Sequence, residues 1–312
     1  MQLISIAMTT FNGEQYISEQ IESILNQTHT NLQIIICDDG STDSTPRILE
    51  TYANKDPRIT IIFNDTNIGL VKNFEKALSL CAGEYIALAD QDDIWENDKI
   101  TCLLSAIKSS LLIHSDATLI DAHGTIINNS YTRYSKKNLE KNIYSYIIEN
   151  NVTGCTTLFS RELLTYALPF PENILVHDWW LALCAYKHGT ITYLDQPLIR
   201  YRQHESNQIG ASETSKIHSF EQREKAYKKT TLFSKTLLKV PFFSTEEKIF
   251  IAQLIQYYED FFSKTCRFHS LFFHLRYFQY FNESKPFSYK LIGLCLSFFG
   301  ANKQRILWKY LT

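Results

Sequence analysis

Leu32-Gln33-Ile34-Ile35-Ile36-Cys37-Asp38-Asp39-Gly40-Ser41 is an apolar run that stops abruptly in two aspartates. A run this short, bounded by turn residues, fits a strand buried on both faces. The next segment is helical in pattern. Ser41, Thr42 and Asp43 offer N-cap oxygens, Pro46 suits a first turn, and Ile48, Leu49 and Tyr52 keep one face. The same unit recurs on either side. Upstream, residues 3–8 form a strand and Ile17, Ile21, Ile24 and Leu25 follow at helical spacing. Downstream, residues 59–63 lead to a helix marked by Val71, Phe74, Leu78 and Cys81, and residues 85–89 to one marked by Ile100, Leu103, Leu104 and Ile107. Strand and helix thus alternate four times in about 110 residues, which predicts an α/β fold with a mostly parallel sheet flanked by helices, Rossmann-like in its first half.

In such sheets ligands gather beyond the carboxyl ends of the strands. Polar residues cluster at those ends here, at positions 9–12, 38–39, 64–67 and 90–93. Past residue 110 the pattern loosens. Residues 118–121, 155–159 and 191–194 read as strands, residues 179–187 as a helix stopping at Gly189, and the chain from about residue 213 as helical. Ile251, Leu254, Ile255, Tyr258, Phe261 and Phe262 hold one face of that last region. The expected organisation is one domain over residues 1–212, in halves 1–115 and 116–212, followed by a helical region over 213–312.

Composition sets the class. With 45 % hydrophobic and 21 % charged residues in 312, disorder and collagen-like repeats are excluded. No stretch approaches the roughly 18–20 apolar residues of a membrane-spanning helix, and the first residues lack the pattern of a secretory signal. Seven scattered cysteines without a C-x-x-C pair argue against a disulfide framework or structural zinc and for a reducing cytosol. The net charge of −2 conceals an asymmetry. Residues 221–312 carry 15 Lys/Arg against 7 Asp/Glu and 14 of the 20 phenylalanines, while residues 1–220 carry 16 against 26. An acidic, strand-rich part is joined to a basic, Phe-rich one, and the two are expected to do different jobs.

Asp90-Gln91-Asp92-Asp93 leaves a buried strand on the ligand-binding edge. Carboxylates this close repel one another unless a cation intervenes, and Mg²⁺ or Mn²⁺ would bind there with substrate phosphates. The alternative is a solvated acidic turn capping a helix at Glu96. In Asp38-Asp39-Gly40-Ser41 a carboxylate could accept the ring N–H of uracil or thymine, or could close an Asx turn ahead of the next helix. Lys72, after Asn67-Ile68-Gly69, faces either an anion or solvent. Asp178, in His177-Asp178-Trp179-Trp180, is either a partly desolvated general base, with the Trp rings as stacking platforms for a sugar, or an N-cap ahead of two core tryptophans. In Arg200-Tyr201-Arg202-Gln203-His204, arginine suits phosphate and His204 could complete the coordination of a metal.

Taken together, Met8-Thr9-Thr10-Phe11-Asn12-Gly13, Asp38-Asp39-Gly40-Ser41-Thr42-Asp43, Asn67-Ile68-Gly69, Asp90-Gln91-Asp92-Asp93-Ile94-Trp95, His177-Asp178-Trp179-Trp180 and Tyr201-Arg202-Gln203-His204 resemble the motifs of the inverting glycosyltransferases of family 2, which share the GT-A fold. They stand in that family's order over about residues 1–210. The D-Q-D-D-x-W and Y-R-Q-H segments look most like the rhamnosyltransferase-type members of bacterial surface-polysaccharide pathways. The resemblance implies that Thr9, Phe11 and Asn12 line a nucleotide pocket, that Asp39 binds the pyrimidine, and that Asn67 and Lys72 support the nucleotide. Asp90 would lie near the ribose and Asp92 would ligate Mg²⁺ or Mn²⁺. Asp178 would be the base, and Arg202 and His204 would hold the diphosphate, with His204 near the metal. Relatives often carry an acidic residue where this chain has His177.

The implied donor is dTDP-rhamnose or a UDP-sugar, and the acceptor a saccharide, lipid-linked in some such pathways. Phe268, Phe272, Phe273, Phe278 and Phe281 interleave with Arg267, His269, Arg276 and Lys285, and Phe298 and Phe299 lie between Lys290 and the pair Lys303 and Arg305. Basic aromatic helices without a spanning segment suit the inner leaflet of an anionic membrane, which gives a cytoplasmic, peripheral location. The same face could instead pack a homo-oligomer. Nucleic acid is disfavoured by the acidic front part. Two rival classes make different demands on the sequence. A nucleotidyltransferase would need a basic, glycine-rich loop after the first strand, and residues 9–14 offer one glycine and no Lys or Arg. A non-catalytic partner of the same fold, kept for nucleotide-sugar binding or membrane assembly, would not need every carboxylate in place.

Overall fold

The four strand–helix repeats form as the hydrophobic pattern dictates, in a computed structural model that describes residues 1–135, 139, 142–204, 220–260, 268–277 and 280. β1 (Ile4–Thr10), β2 (Leu32–Asp38), β3 (Ile59–Phe63) and β4 (Tyr85–Ala89) alternate with α1 (Ile17–Leu25), α2 (Thr45–Ala53) and α3 (Leu70–Ser79). The strands pair in parallel in the order β3-β2-β1-β4. All seven residues of β1 are buried, as a central strand covered on both faces requires. Ile17, Ile21 and Ile24 of α1 and Phe74, Ala77 and Leu78 of α3 form the buried stripes. Asp43 Oδ1 accepts the Thr45 N–H at 2.9 Å, capping α2 from just upstream, with Pro46 in its first turn.

Beyond β4 come β5 (Ile94–Trp95), α4 (Lys99–Ile107), β6 (Leu112–Ile120), β7 (Ile126–Asn128), α5 (Tyr131–Tyr134), α6 (Ile143–Ile148), β8 (Thr157–Ser160), α7 (Leu163–Ala167), α8 (His177–His188) and β9 (Ile191–Arg202). Here the sheet changes sense. β8 pairs antiparallel with β4 and β6, β9 runs parallel to β6, and β5 closes the edge antiparallel to β9. The longest ladders, β1 on β2 and β6 on β9, are both parallel.

Three strands depart from the sequence expectation, each for a local reason. β6 starts at Leu112, not residue 118, because His114, Ser115 and Asp116 are buried within it. The Asp116 carboxylate accepts from Ala117 N, Ser130 Oγ, and Thr132 N and Oγ1, so its burial is satisfied. β9 runs on through Asp195-Gln196-Pro197 to Arg202, and the register slips opposite Asp116, where a bulge tolerates the proline. β8 starts at Thr157 because Gly154–Thr156 is a 3₁₀ turn.

The chain divides into two compact units. The first, residues 1–134, 152–170 and 176–208, holds the sheet and every candidate site residue named above. The second gathers residues 135–151 and 171–175 with the region from residue 209 onward. In it, α9 (Phe220–Lys239), α10 (Thr245–Asp260) and α11 (Phe268–Arg276) follow one another. Phe250, Ile251, Leu254, Ile255 and Tyr258 of α10 are buried, and Phe250 meets Tyr144, Phe273 and Tyr277. On α11, Phe273 is buried while Phe272 is 67 % exposed, so only part of the Phe-rich face is core. Phe261, Phe262, Arg267, Phe278, Phe281, Lys285, Lys290, Phe298, Phe299, Lys303 and Arg305 lie outside the described residues. Among the described residues no helix is long and apolar enough to cross a membrane, and all five cysteines are free.

Candidate active site

Register places the polar strand ends side by side. Thr10 of β1 lies opposite Asp38 of β2, Asp38 opposite Phe63 of β3, and Met8 opposite Ala89 of β4. Four strand ends at about 4.8 Å spacing cover about 14 Å, the scale of one bound nucleotide. Asp38 is structural: its carboxylate accepts from Thr10 Oγ1 and from Ser41 N and Oγ. Asp39 organises the neighbouring loop. Asn64 Nδ2, Ile68 N and Gly69 N donate to it at 2.8–2.9 Å, and Gly69 sits at φ 86°, the left-handed region that glycine tolerates. Asn67 Oδ1 accepts from Gly69 N at 3.1 Å. Thr9 is buried in β1, whereas Phe11 is 36 % exposed. Asn12 Oδ1 accepts from Thr42 N at 2.8 Å, tying the first loop to the second. Lys72 is exposed and pairs with Glu75 at 2.7 Å.

The acidic turn is not a helix cap, because β5 follows it and α4 starts only at Lys99. Its four residues have four different environments. The Gln91 amide brackets the Phe11 backbone, accepting from its N–H at 2.8 Å and donating to its carbonyl at 3.2 Å. A Cβ on Gly13 would stand 2.6 Å from Gln91 Oε1, so a larger residue there would have to push the Gln91 amide off the Phe11 backbone. Asp92 Oδ2 and His204 Nε2 are 2.8 Å apart, and each side chain keeps about a tenth of its surface exposed. Asp93 is fully buried and accepts the Arg202 N–H at 3.0 Å. Burial pushes Asp90 up to about 7, and the charges of Asp92 and Asp178 push the same way, so Asp178 lies within electrostatic reach of the turn.

Two donor sets could take a cation. Asp92 and His204 offer one oxygen and one nitrogen at the partly open mouth, a set suited to Mn²⁺ or Mg²⁺ with waters or phosphate completing the shell. Asp90, Asp93 and Cys155 bring ligand atoms within 4.8 Å of one another. However, a thiol is a poor ligand for hard cations, burial raises the Cys155 pKa, and the buried Lys99 already stands beside the group. The first set fits a divalent ion better.

Arg202 was expected on a diphosphate. Its Nε donates to Asp92 O at 2.7 Å, its Nη1 to Asp121 O and Ala122 O, and its Nη2 to Glu19 at 2.5 Å, while the guanidinium stacks over Tyr16. In this geometry it faces protein acceptors and clamps the acidic turn, so the diphosphate role does not follow from its placement. The Tyr16 ring also packs against His204, with centroids 4.9 Å apart.

Asp178 lies in the first turn of α8, but it does not cap that helix. Its Oδ2 accepts the Gly154 N–H at 2.9 Å. Trp179 and Trp180 are buried, with Trp180 Nε1 bonded to Ala167 O, so neither ring is a sugar platform. His177 is buried and stacks on Phe74 at 3.7 Å. Its Nδ1 has no hydrogen-bond partner, and burial pushes its pKa down to about 3. An unfolded histidine takes a proton near pH 6.5, so between pH 6.5 and 3 the unfolded state binds more protons and stability is lost as the pH is lowered. The unfolding midpoint is expected to drop between pH 6.5 and 4, and His177→Leu to flatten that slope in thermal melts. An equal slope in the variant would clear His177 as the cause.

Sequence reasoning passed over Tyr16, Gln91, Lys99 and Gly154. Lys99 could have been found, because it lies four residues before Leu103 on the apolar stripe of its helix. Gly154 and Tyr16 stand in segments with no pattern to single them out.

The model of the glycosyl transferase family 2 matches residues 5–166. The dTDP-rhamnosyl transferase RfbG of Shigella flexneri is 34 % identical over 66 % of this chain and 74 % of its own. The UDP-Glc:alpha-D-GlcNAc-diphosphoundecaprenol beta-1,3-glucosyltransferase WfgD of Escherichia coli is 30 % identical over 66 % of this chain and 79 % of its own. Among solved structures, that of S. aureus TarS residues 1–349 with UDP-GlcNAc superposes at a TM-score of 0.60 and 20 % identity, covering 99 % of this chain and 87 % of that one, a likeness of fold.

Proposed function

The chain belongs to glycosyl transferase family 2, and from that premise we propose that it moves one sugar from a nucleoside-diphosphate donor to a saccharide hydroxyl, with inversion, in the assembly of a bacterial surface polysaccharide. The observation that carries this reading is the meeting of three segments distant in sequence: His204, just past β9, lies 2.8 Å from Asp92 of the acidic turn, and Asp178, at the start of α8, is bonded to Gly154 beside Cys155, whose thiol lies within 4.8 Å of Asp90 and Asp93. The names of RfbG and WfgD support dTDP-rhamnose or a UDP-sugar as donor, and that of WfgD supports a lipid-linked acceptor. The basic balance of residues 221–312 suits approach to an anionic inner leaflet.

A carboxylate offers about four lone-pair sites. Three on Asp39 are taken by Asn64, Ile68 and Gly69, which leaves one for the ring N–H of a uracil or thymine. Phe11 and Asn12 would line the nucleotide with Thr9 behind them, Asn67 and Lys72 would support it, and Asp90 would lie near the ribose. Asp92 and His204 would hold Mg²⁺ or Mn²⁺, and that ion would neutralise charge on the departing diphosphate. Asp178 would accept the proton of the acceptor hydroxyl as its oxygen bonds to the anomeric carbon and the bond to the diphosphate oxygen breaks on the opposite face. Only the carboxylate form can do this, and the Gly154 N–H holds its Oδ2 in place at 2.9 Å.

The test is a panel of dTDP-, UDP- and GDP-sugars with Mn²⁺ or Mg²⁺. One donor is expected to give a thermal shift and to release nucleoside diphosphate, with EDTA stopping the release. A chain that binds a donor but releases nothing with any acceptor would be a binding module instead.

A further inference from the structure

Lys99 is the fully buried lysine among the described residues. A buried ammonium is costly unless it is partnered; the charges of Asp93 and Asp90 act on this one, and two contacts hold it. Its Nζ donates to the backbone carbonyl of Cys155 at 2.6 Å and lies 3.3 Å from the centre of the Trp95 ring. Cys155 belongs to the 3₁₀ turn Gly154–Thr156, and in the same turn the Gly154 N–H donates to Asp178 Oδ2 at 2.9 Å. One short stretch of backbone is therefore gripped at a carbonyl by Lys99 and grips Asp178 with the neighbouring amide.

The turn leaves little freedom. A Cβ at Gly154 would stand 3.3 Å from Asp178 Cβ and from His177 Nε2, so backbone and carboxylate are in close contact. The turn is held from its far end by Thr157 Oγ1, which donates to Gly154 O at 2.7 Å. Asp178 Oδ2 is thus tied to the turn at residues 154–156, and Lys99 reaches the same turn from α4.

We propose that Lys99 is a positioning residue for the Asp178 carboxylate, acting through the Cys155 carbonyl and the Gly154 amide. The proposal rests on Asp178 being the base and adds what aims it. It also ties the two halves of the chemistry together, since the segment that carries the acidic turn runs on into the lysine that fixes the base. Burial draws the Lys99 amine down to about 7, with Cys155, Asp93 and Asp90 opposing. An amine and an ammonium both donate to a carbonyl, so the link survives a change of protonation.

The experiment compares Lys99→Met, Lys99→Arg, Thr157→Val and Asp178→Asn in the full chain, with the donor that the panel selects and Mn²⁺. Methionine keeps the length and apolar stem but cannot donate. Lys99→Met is expected to lower kcat by roughly 10–10²-fold, the cost of misplacing a catalytic group by about 1 Å, with donor KM and the half-saturating Mn²⁺ concentration raised no more than about two-fold. Lys99→Arg restores part of the loss. A kcat within about two-fold of the parent, or a fall in kcat matched by a rise in donor KM, overturns the role. If Asp178→Asn is inactive while Lys99→Met is not, only the Lys99 role fails; if Asp178→Asn keeps full turnover, the base assignment fails with it. Should Lys99→Met not fold, Thr157→Val decides. A lowered kcat at unchanged donor KM supports the aimed turn, and an unchanged kcat overturns it.

Discussion

Asp178→Asn is expected to lower transfer by about 10²–10⁴-fold, the usual worth of a general base, while the donor binds as before. The variant is close to isosteric. Its amide oxygen can still accept the Gly154 N–H that Asp178 Oδ2 accepts at 2.9 Å, so the turn and the start of α8 have no reason to move. What is lost is the ability to take a proton. The change also removes one of the charges that raise Asp90, which favours the ionised form of Asp90 and leaves the donor side intact or slightly improved. Single-turnover transfer measures the chemical step, and calorimetry with the nucleoside diphosphate and Mn²⁺ measures binding. A normal transfer rate would remove Asp178 from the chemistry. A lost rate with equally lost binding would make it a structural residue of the cleft.

The strands and helices of the first 110 residues were legible because each is simple. Residues 32–37 show an apolar run broken only at Gln33, and α1 and α3 show one stripe each. The candidate site was legible for a related reason. A parallel sheet presents its strand ends on one edge, so polar residues after four strands had to meet. The second half hid its structure wherever burial was made possible by hydrogen bonds instead of apolarity. β6 buries His114, Ser115 and Asp116, and no periodicity rule foresees the four donors that converge on Asp116. The same blindness applies to Arg202, which a sequence reading assigns to a ligand because its protein acceptors on Glu19, Asp92, Asp121 and Ala122 are scattered over the chain. Gly154 was silent because its value lies in what it lacks, a Cβ against Asp178.

The second large effect is expected at Asp92. Asp92→Ala removes the carboxylate that lies 2.8 Å from His204 Nε2 and should lower nucleoside-diphosphate affinity in Mn²⁺ by at least about 10–100-fold, the range seen when even a supporting partner of a metal ligand is lost. Without metal, parent and variant should bind alike, because the base and ribose contacts drawn from Asp39, Asn67 and Phe11 do not pass through Asp92. Stability should move the other way. Asp92 is among the causes that raise both Asp90 and Asp93, so in metal-free protein its removal relieves repulsion within the turn. The unfolding midpoint of the variant should then equal or exceed that of the parent in EDTA and gain less than the parent from Mn²⁺ and nucleotide together. This crossed pattern, a site weakened and a fold unharmed, separates a cation site from an acidic turn that merely caps structure. A parent protein whose nucleotide affinity is the same in Mn²⁺ and in EDTA would rule out the Asp92–His204 cation site outright.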